Sequence, residues 1–392
     1  MKKYDAIVVG GGPIGGFISN RLAENDCNVA VIEKNKNIGA PMNCAGLVTN
    51  RVFEKFNISK NNIVLNEIKG AYIHSPKGSI LKIGGNKTHA LVINRTEFDQ
   101  NIMYNAESNG ADVFLDCKVT LISNKKKLLN VKTSKDFDFA SKLLIGADGP
   151  FSKVRQTFLK TEPKEILYGA GAEISGTNIS SDFVHIFLGN QIAPGFFAWL
   201  IPTNKNGSFA RVGLCVNKNA EHSVNHYFKN LFREKGIAEL LKGTKIERKM
   251  GGAIPLGYIK KNVTSNIMVV GDAAAQVKPT SGGGIFPGLL CANFCSEVAL
   301  DAIKKNDFSE NFLKKYQTLC FKNIGRELIK GSRFRSVFKR LSDESLDKYV
   351  VKFSNPQLVR IINDHGDIDF PSKLVRPLIK KSPLLLKSVF SI

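Results

Sequence analysis

Three glycines, Gly10, Gly12 and Gly15, stand in GxGxxG spacing in "VVGGGPIGG", directly after the apolar run "YDAIVV". Glycines so placed allow a tight turn, let the backbone approach a pyrophosphate, and let the following helix pack closely. The helix N-terminus then offers N–H groups and partial positive charge to the phosphates. Glu33 closes the next apolar run, "NVAVIEK", where its carboxylate can accept hydrogen bonds from an adenosine ribose. Together these residues predict a dinucleotide site.

Two aspartates narrow the choice of dinucleotide. Asp148 in "LLIGADGPFSKVR" and Asp272 in "IMVVGDAAAQVKPTSGGGIFPG" each follow a strand-like run, and Gly283, Gly284 and Ile285 then open a long helix. These stretches resemble the GD motifs of glutathione-reductase-type flavoproteins, in which the second aspartate binds the ribitol chain. The chemistry suits that role: a carboxylate accepts ribitol hydroxyls, and helix N–H groups stabilise the negative charge of a reduced flavin. The expected cofactor is FAD. Arg95, in "VINRTEFD", lies at a strand end before a helix, where related flavoproteins place an arginine near the cofactor.

The only tryptophan lies in "APGFFAWLIP". Strand alternation sends Phe197, Trp199 and Ile201 to one face and Phe196, Ala198 and Leu200 to the other. With the flavin motifs beside it, this stretch resembles the (Y/F)xWxFP signature of geranylgeranyl reductases, with Phe197, Trp199 and Pro202 in register. "GAPMNCAGL", "VKPTSGGGI" and the tail "NDHGDIDFPSKLVRPLIKKSP" are also similar to that family. The resemblance implies an FAD-dependent reductase that saturates C=C bonds of geranylgeranyl chains, most naturally on archaeal-type isoprenoid glycerophospholipids. It assigns Gly10, Gly12, Gly15, Glu33, Cys44, Ala45, Gly46, Arg95, Val119, Asp148, Asp272, Gly283, Gly284 and Ile285 to the cofactor. Phe197, Trp199 and Pro202 fall to the substrate, Cys44 is the candidate catalytic thiol, and no metal is expected.

Two departures bear on mechanism. Phenylalanine stands at 197 where the family commonly has tyrosine, which removes a phenolic proton donor. Around the cysteine, Asn43, Cys44, Ala45 and Gly46 replace a basic-glycine-glutamate-glycine pattern. Water or Cys44 then remains to supply the proton. Three rivals stay open: a flavin monooxygenase or halogenase, a reductase of a quinone or phytyl-type prenyl chain, and a non-catalytic flavoprotein.

The elements that must position these residues read as strand, helix, strand over residues 4–33. A hairpin follows around Pro76, Lys77 and Gly78, then strand, helix and strand over 89–115 with Thr96 as N-cap. The resemblance implies an α/β fold: a glutathione-reductase-type FAD-binding domain of hydroxylase-like topology (1–65, 90–160 and 250–325) interleaved with an antiparallel-sheet substrate domain (66–89 and 161–249). Residues 326–392 form a small helical C-terminal part.

Composition adds broader bounds. The 392 residues carry 56 Lys and Arg against 34 Asp and Glu, a net charge of +22, which favours anionic partners. No nucleic-acid motif is present, so an anionic membrane surface is the expected polyanion. The tail, with Lys373, Arg376, Lys380, Lys381 and Lys387 among Leu374, Val375, Leu378, Ile379, Leu384, Leu385, Leu386, Val389 and Phe390, suits it. Seven scattered cysteines without a CxxC pair read as reduced thiols. No apolar run is expected to span a membrane, so the expected place is cytoplasmic, peripheral on the inner membrane face. The expected partners are an isoprenoid lipid substrate and an external electron donor, whether ferredoxin, NAD(P)H or a deazaflavin.

Overall fold

The computed structural model describes residues 2–125 and 128–381. The tail residues Pro383, Leu384, Leu385, Leu386, Lys387, Val389 and Phe390 lie outside them. The first strand, Lys2–Val9, runs parallel to Val29–Ile32 on one side and to Asp138–Gly146 on the other. Parallel neighbours Asp112–Phe114 and Ile267–Val269 extend this sheet at its two sides. Val29–Ile32 is buried at every position, as a strand covered on both faces must be, and Val29, Val31 and Ile32 each contribute roughly 1.5 to 3 kcal/mol. Helices Pro13–Ala23, Arg95–Ser108 and Ile285–Lys305 supply part of that cover.

A second sheet has the order Lys245–Leu256, Glu165–Ser175, Phe209–Asn217, Ala198–Pro202, Phe183–Phe187, Gly70–His74, Ile80–Gly84. The pairing is antiparallel except between Phe183–Phe187 and Gly70–His74. Ala198 and Leu200, on one face, join Tyr227, Phe228 and Leu231 of helix Val224–Leu231 in a core of their own. The opposite face looks back toward the first sheet. Three short strands, Leu47–Val48, Val64–Ile68 and Ala90–Ile93, form a small third sheet. Strand Lys245–Leu256 pairs with Glu165–Ser175 along its length, so residues 250–256 belong to the second sheet and not to the first.

The hairpin forms as expected, with Ser75 N–H donating to Ser79 O at 2.8 Å and Gly78 at φ +92°. Two expectations need correction. The N-cap of helix Arg95–Ser108 is Asn94, whose Oδ1 accepts from Thr96 N at 3.1 Å and Glu97 N at 3.4 Å. Thr96 already lies inside the helix, and its hydroxyl donates to Gly39 O instead. Among the described residues one helix, Ile285–Lys305, is long and apolar enough to cross a membrane by length and composition, contrary to expectation. Here 67% of its most apolar stretch is buried inside the protein, where Leu289, Cys291, Cys295 and Ala299 are fully enclosed.

Candidate functional site: a cavity between the two sheets

The glycine loop is fixed by backbone geometry. Gly10 has φ +106°, and a Cβ there would meet Ala147 O at 2.3 Å, while one on Gly15 would meet Gly10 O at 1.9 Å. No other residue fits either place. Gly12, the N-cap of helix Pro13–Ala23, faces open space, with nothing within 4 Å of its would-be Cβ. The buried Glu33 carboxylate holds the loop from behind, accepting from Gly11 N at 2.7 Å and Asn35 N at 2.8 Å.

Asp272 sits in the tight turn Gly271–Ala274, against the start of helix Ile285–Lys305. A Cβ on Gly284, that helix's N-cap, would lie 2.8 Å from its Oδ1, so glycine keeps the carboxylate and the helix terminus together. Burial pushes Asp272 up to about 6, with the nearby Arg95 charge pulling the other way. Its carboxylate receives no hydrogen bond from the described residues. Arg95, at the first turn of its helix, binds Asp99 through Nε at 3.0 Å and Nη2 at 2.9 Å. Burial opposes its charge, but Asp99 and the Cys44 sulfur outweigh that and hold the guanidinium above its ordinary value. Cys44 Sγ in turn accepts from Gly46 N at 3.3 Å.

Gly12, Cys44, Ala45, Gly46, Arg95, Asp272, Gly283, Gly284 and Ile285 line a single cavity of about 430 Å³, and Phe197 and Trp199 line it from the other side. Six assigned residues lie elsewhere. Gly10, Gly15 and Glu33 stand behind the loop. Val119 is buried in the first sheet's core with Tyr4, Ile7 and Ile32. Asp148 closes the start of helix Lys153–Phe158, accepting from Ser152 Oγ at 2.5 Å, Lys153 N at 2.7 Å and Val154 N at 3.2 Å. Pro202 is buried at its strand end, where its carbonyl accepts from Asn66 Nδ2 at 3.1 Å.

The sheet wall follows from strand register. Ile186, Trp199, Gly213, Gly171 and Met250 stand directly opposite one another across five strands, and Cys215, Gly169 and Gly252 form the next row. A Cβ on Gly213 would come within 2.7 Å of the indole, so the ring lies against bare backbone. The indole Nε1 is buried without a hydrogen-bond partner among the described residues. Burial pushes the Cys215 thiol up to about 12 against a smaller opposing pull from Arg335, which keeps it protonated and a packing group.

Sequence reasoning missed two polar assemblies at this cavity. One is a cross-strand ladder: Glu173 accepts from Arg211 Nε at 3.0 Å and from Arg248 Nη2 at 2.8 Å. Arg211 is 1% exposed and also donates to Ala45 O and Ile93 O at 3.1 and 2.9 Å, tying the cysteine loop to the sheet. The other is Lys278, which lines the cavity while its Nζ donates to Asp369 Oδ1 at 2.8 Å and Ile368 O at 3.3 Å. Asp369 is fully buried and also accepts from Thr49 Oγ1 at 2.6 Å, so the C-terminal segment closes one side of the cavity.

These features fit a flavin dinucleotide. An open glycine cradle stands at one helix start, and the half-buried Asp272 carboxylate, without a donor among the described residues, stands at another, where it could accept ribitol hydroxyls. The sequence matches the FAD-binding domain family over residues 3–289. Two proteins of Methanocaldococcus jannaschii are each 32% identical to this chain. One is named digeranylgeranylglycerophospholipid reductase and aligns over 98% of this chain and 97% of its own; the other is uncharacterised and aligns over 96% and 95%. The crystal structure of a geranylgeranyl bacteriochlorophyll reductase-like protein from Thermoplasma acidophilum superposes with a TM-score of 0.87 at 24% identity, covering 99% of both chains. With a flavin-type cavity walled by the aromatic strand, and this similarity over nearly the whole length, the chain belongs to the geranylgeranyl reductase family of FAD-dependent oxidoreductases.

Proposed function

We propose that this enzyme saturates C=C bonds of geranylgeranyl chains carried on an isoprenoid glycerophospholipid. The observation that carries the reading is one cavity with two unlike walls. Asp272, Gly284 and the Gly12 helix start form the polar wall, and Phe197, Trp199 and Ile201 over a glycine-paved sheet form the apolar one. A chain of isolated alkenes offers no hydrogen-bonding groups, so a floor of rings and bare backbone is the surface it needs. The named M. jannaschii relative supports the same substrate class.

The Gly12 helix start would hold the pyrophosphate, Glu33 the adenosine ribose, Asp272 the ribitol chain, and the N-terminus at Gly284 and Ile285 the pyrimidine edge. Reduced FAD held by these residues would be the source of a hydride for one alkene carbon. The other carbon takes a proton, so the bond gains two hydrogens and two electrons. Cys44 is the protein group proposed to deliver that proton, since its sulfur lies on the cavity beside Arg95 and Gly46. Unactivated alkenes accept hydride poorly, so alignment by Phe197 and Trp199 must carry much of the rate. Repeated turnover would need an external electron donor.

The test is an anaerobic titration of dithionite-reduced holoenzyme with an unsaturated digeranylgeranylglyceryl phospholipid, following the return of oxidised-flavin absorbance. Reoxidation by this lipid, and none by its fully saturated counterpart, is expected. Reoxidation only when oxygen is admitted would move the reading to a monooxygenase.

A further inference from the structure

The helix Arg326–Phe338 has two faces of opposite character. Its inner face packs on the cavity wall: a Cβ on Gly331 would lie 3.1 Å from Pro279, and Arg335 holds Glu165 at 3.0 and 2.8 Å while lying over Phe196. Phe196 itself lines the cavity. The outer face carries Arg326, Lys330 and Arg333, with Lys322 in the preceding turn; all four are exposed. Spacings of four, four and three residues put them on one stripe. No ion pair joins any of them to a carboxylate among the described residues, and Glu327, the helix's one acid, is buried and bonded to Ser372.

The neighbouring helices differ. On Asp343–Phe353 and Pro356–His365 the exposed bases Lys348 and Arg360 are each paired with an acid, Glu344 at 3.2 Å and Asp364 at 3.9 Å. The general basicity of the chain therefore does not explain the stripe. Its position does suggest a use. Ile368, four residues before Ser372, is 42% exposed and also lines the cavity, so the cavity meets the surface near this face. The last described helix, Val375–Lys381, adds exposed Arg376, Ile379 and Lys380.

We infer that this basic face docks on an anionic lipid bilayer and turns the Ile368 side of the cavity toward it. Charge complementarity selects the surface: unpaired cations on one helix face meet lipid phosphates, with exposed Ile379 and Ile368 available to the interface. The inference rests on the proposed phospholipid substrate, whose prenyl chains would reach the cavity directly from the bilayer.

Co-sedimentation of the full-length holoenzyme with vesicles tests it. The wild type should sediment with phosphatidylglycerol vesicles and not with phosphatidylcholine vesicles, and rising salt should release it. K322E/R326E/K330E/R333E should lose that partition at least about tenfold, and the milder K322Q/R326Q/K330Q/R333Q should fall between. Both should keep full FAD content and turn over detergent-dispersed substrate at the wild-type rate. Equal sedimentation of wild type and variants, equal binding to the neutral vesicles, or binding to RNA in place of vesicles would overturn the docking face. Turnover in detergent without vesicle binding would sink this inference alone, and vesicle binding without turnover would sink only the proposed reaction.

Discussion

Both walls of the cavity are built on glycine, for opposite physical reasons. On the cofactor side glycine supplies backbone conformations: Gly10 at φ +106°, Gly46 at +69° and Gly282 at +71° occupy the region that side chains avoid. On the sheet side Gly169, Gly171, Gly213 and Gly252 lie in strands with no positive φ, and their contribution is the absence of a side chain. The first wall presents N–H groups and one unsatisfied carboxylate; the second presents rings and flat backbone. A cofactor needs specified contacts and a prenyl chain needs unspecified room, so the two walls should fail differently when mutated.

Gly10→Val should break the first wall most severely. The wrong φ and the 2.3 Å approach to Ala147 O should cost about 3 kcal/mol or more and yield protein without flavin, read from absorbance and thermal melting. Arg211→Met cuts the tie between the walls. Losing the buried guanidinium and its bonds to Glu173, Ala45 and Ile93 should cost about 2 kcal/mol in denaturant unfolding, softened because Arg248 still partners Glu173.

Gly213→Val should leave flavin content intact yet push the indole into the cavity, lowering kcat about tenfold, or about 1.4 kcal/mol. Equal loss of flavin and turnover would erase the distinction between the walls. Asp272 gives the finest test. FAD hydroxyls should favour the ionised carboxylate, so FAD affinity should rise about tenfold from about pH 5 to about pH 7 and level off above the apoprotein value of about 6. Asp272→Asn should bind more weakly and lose that slope in a fluorescence titration. In the apoprotein the sign reverses: a raised aspartate pKa makes folding less favourable as pH climbs from the ordinary value toward about 6.

The cofactor wall was largely legible in the sequence because a turn that demands glycine recurs at fixed local spacing. The aromatic strand was legible in part: alternation separates Trp199 and Ile201 from Ala198 and Leu200, but Phe196, expected on the far face, lines the cavity beside Phe197 because the strand begins only at Ala198. The glycine floor was not, because Gly213 and Gly171 become neighbours only through antiparallel register. The same holds for Lys278 and Asp369, 91 positions apart, and for the Arg211–Glu173–Arg248 ladder. Asp148 and Asp272 look alike in sequence, but local hydrogen bonds engage the first with its own helix start and leave the second without a donor. Asn94 and Thr96 are both capable caps; which of them serves depends on where the chain enters the helix.

The most direct test of the account is the mass of the lipid after one anaerobic turnover with reduced holoenzyme in deuterated water. The account predicts a saturated bond that gains two deuteriums, because the thiol proton and the transferable hydrogen of the reduced flavin both exchange with solvent, with flavin oxidised in equal amount and wild-type yield far above that of Gly213→Val. A lipid of unchanged mass, or one that gains oxygen when air is admitted, would contradict it.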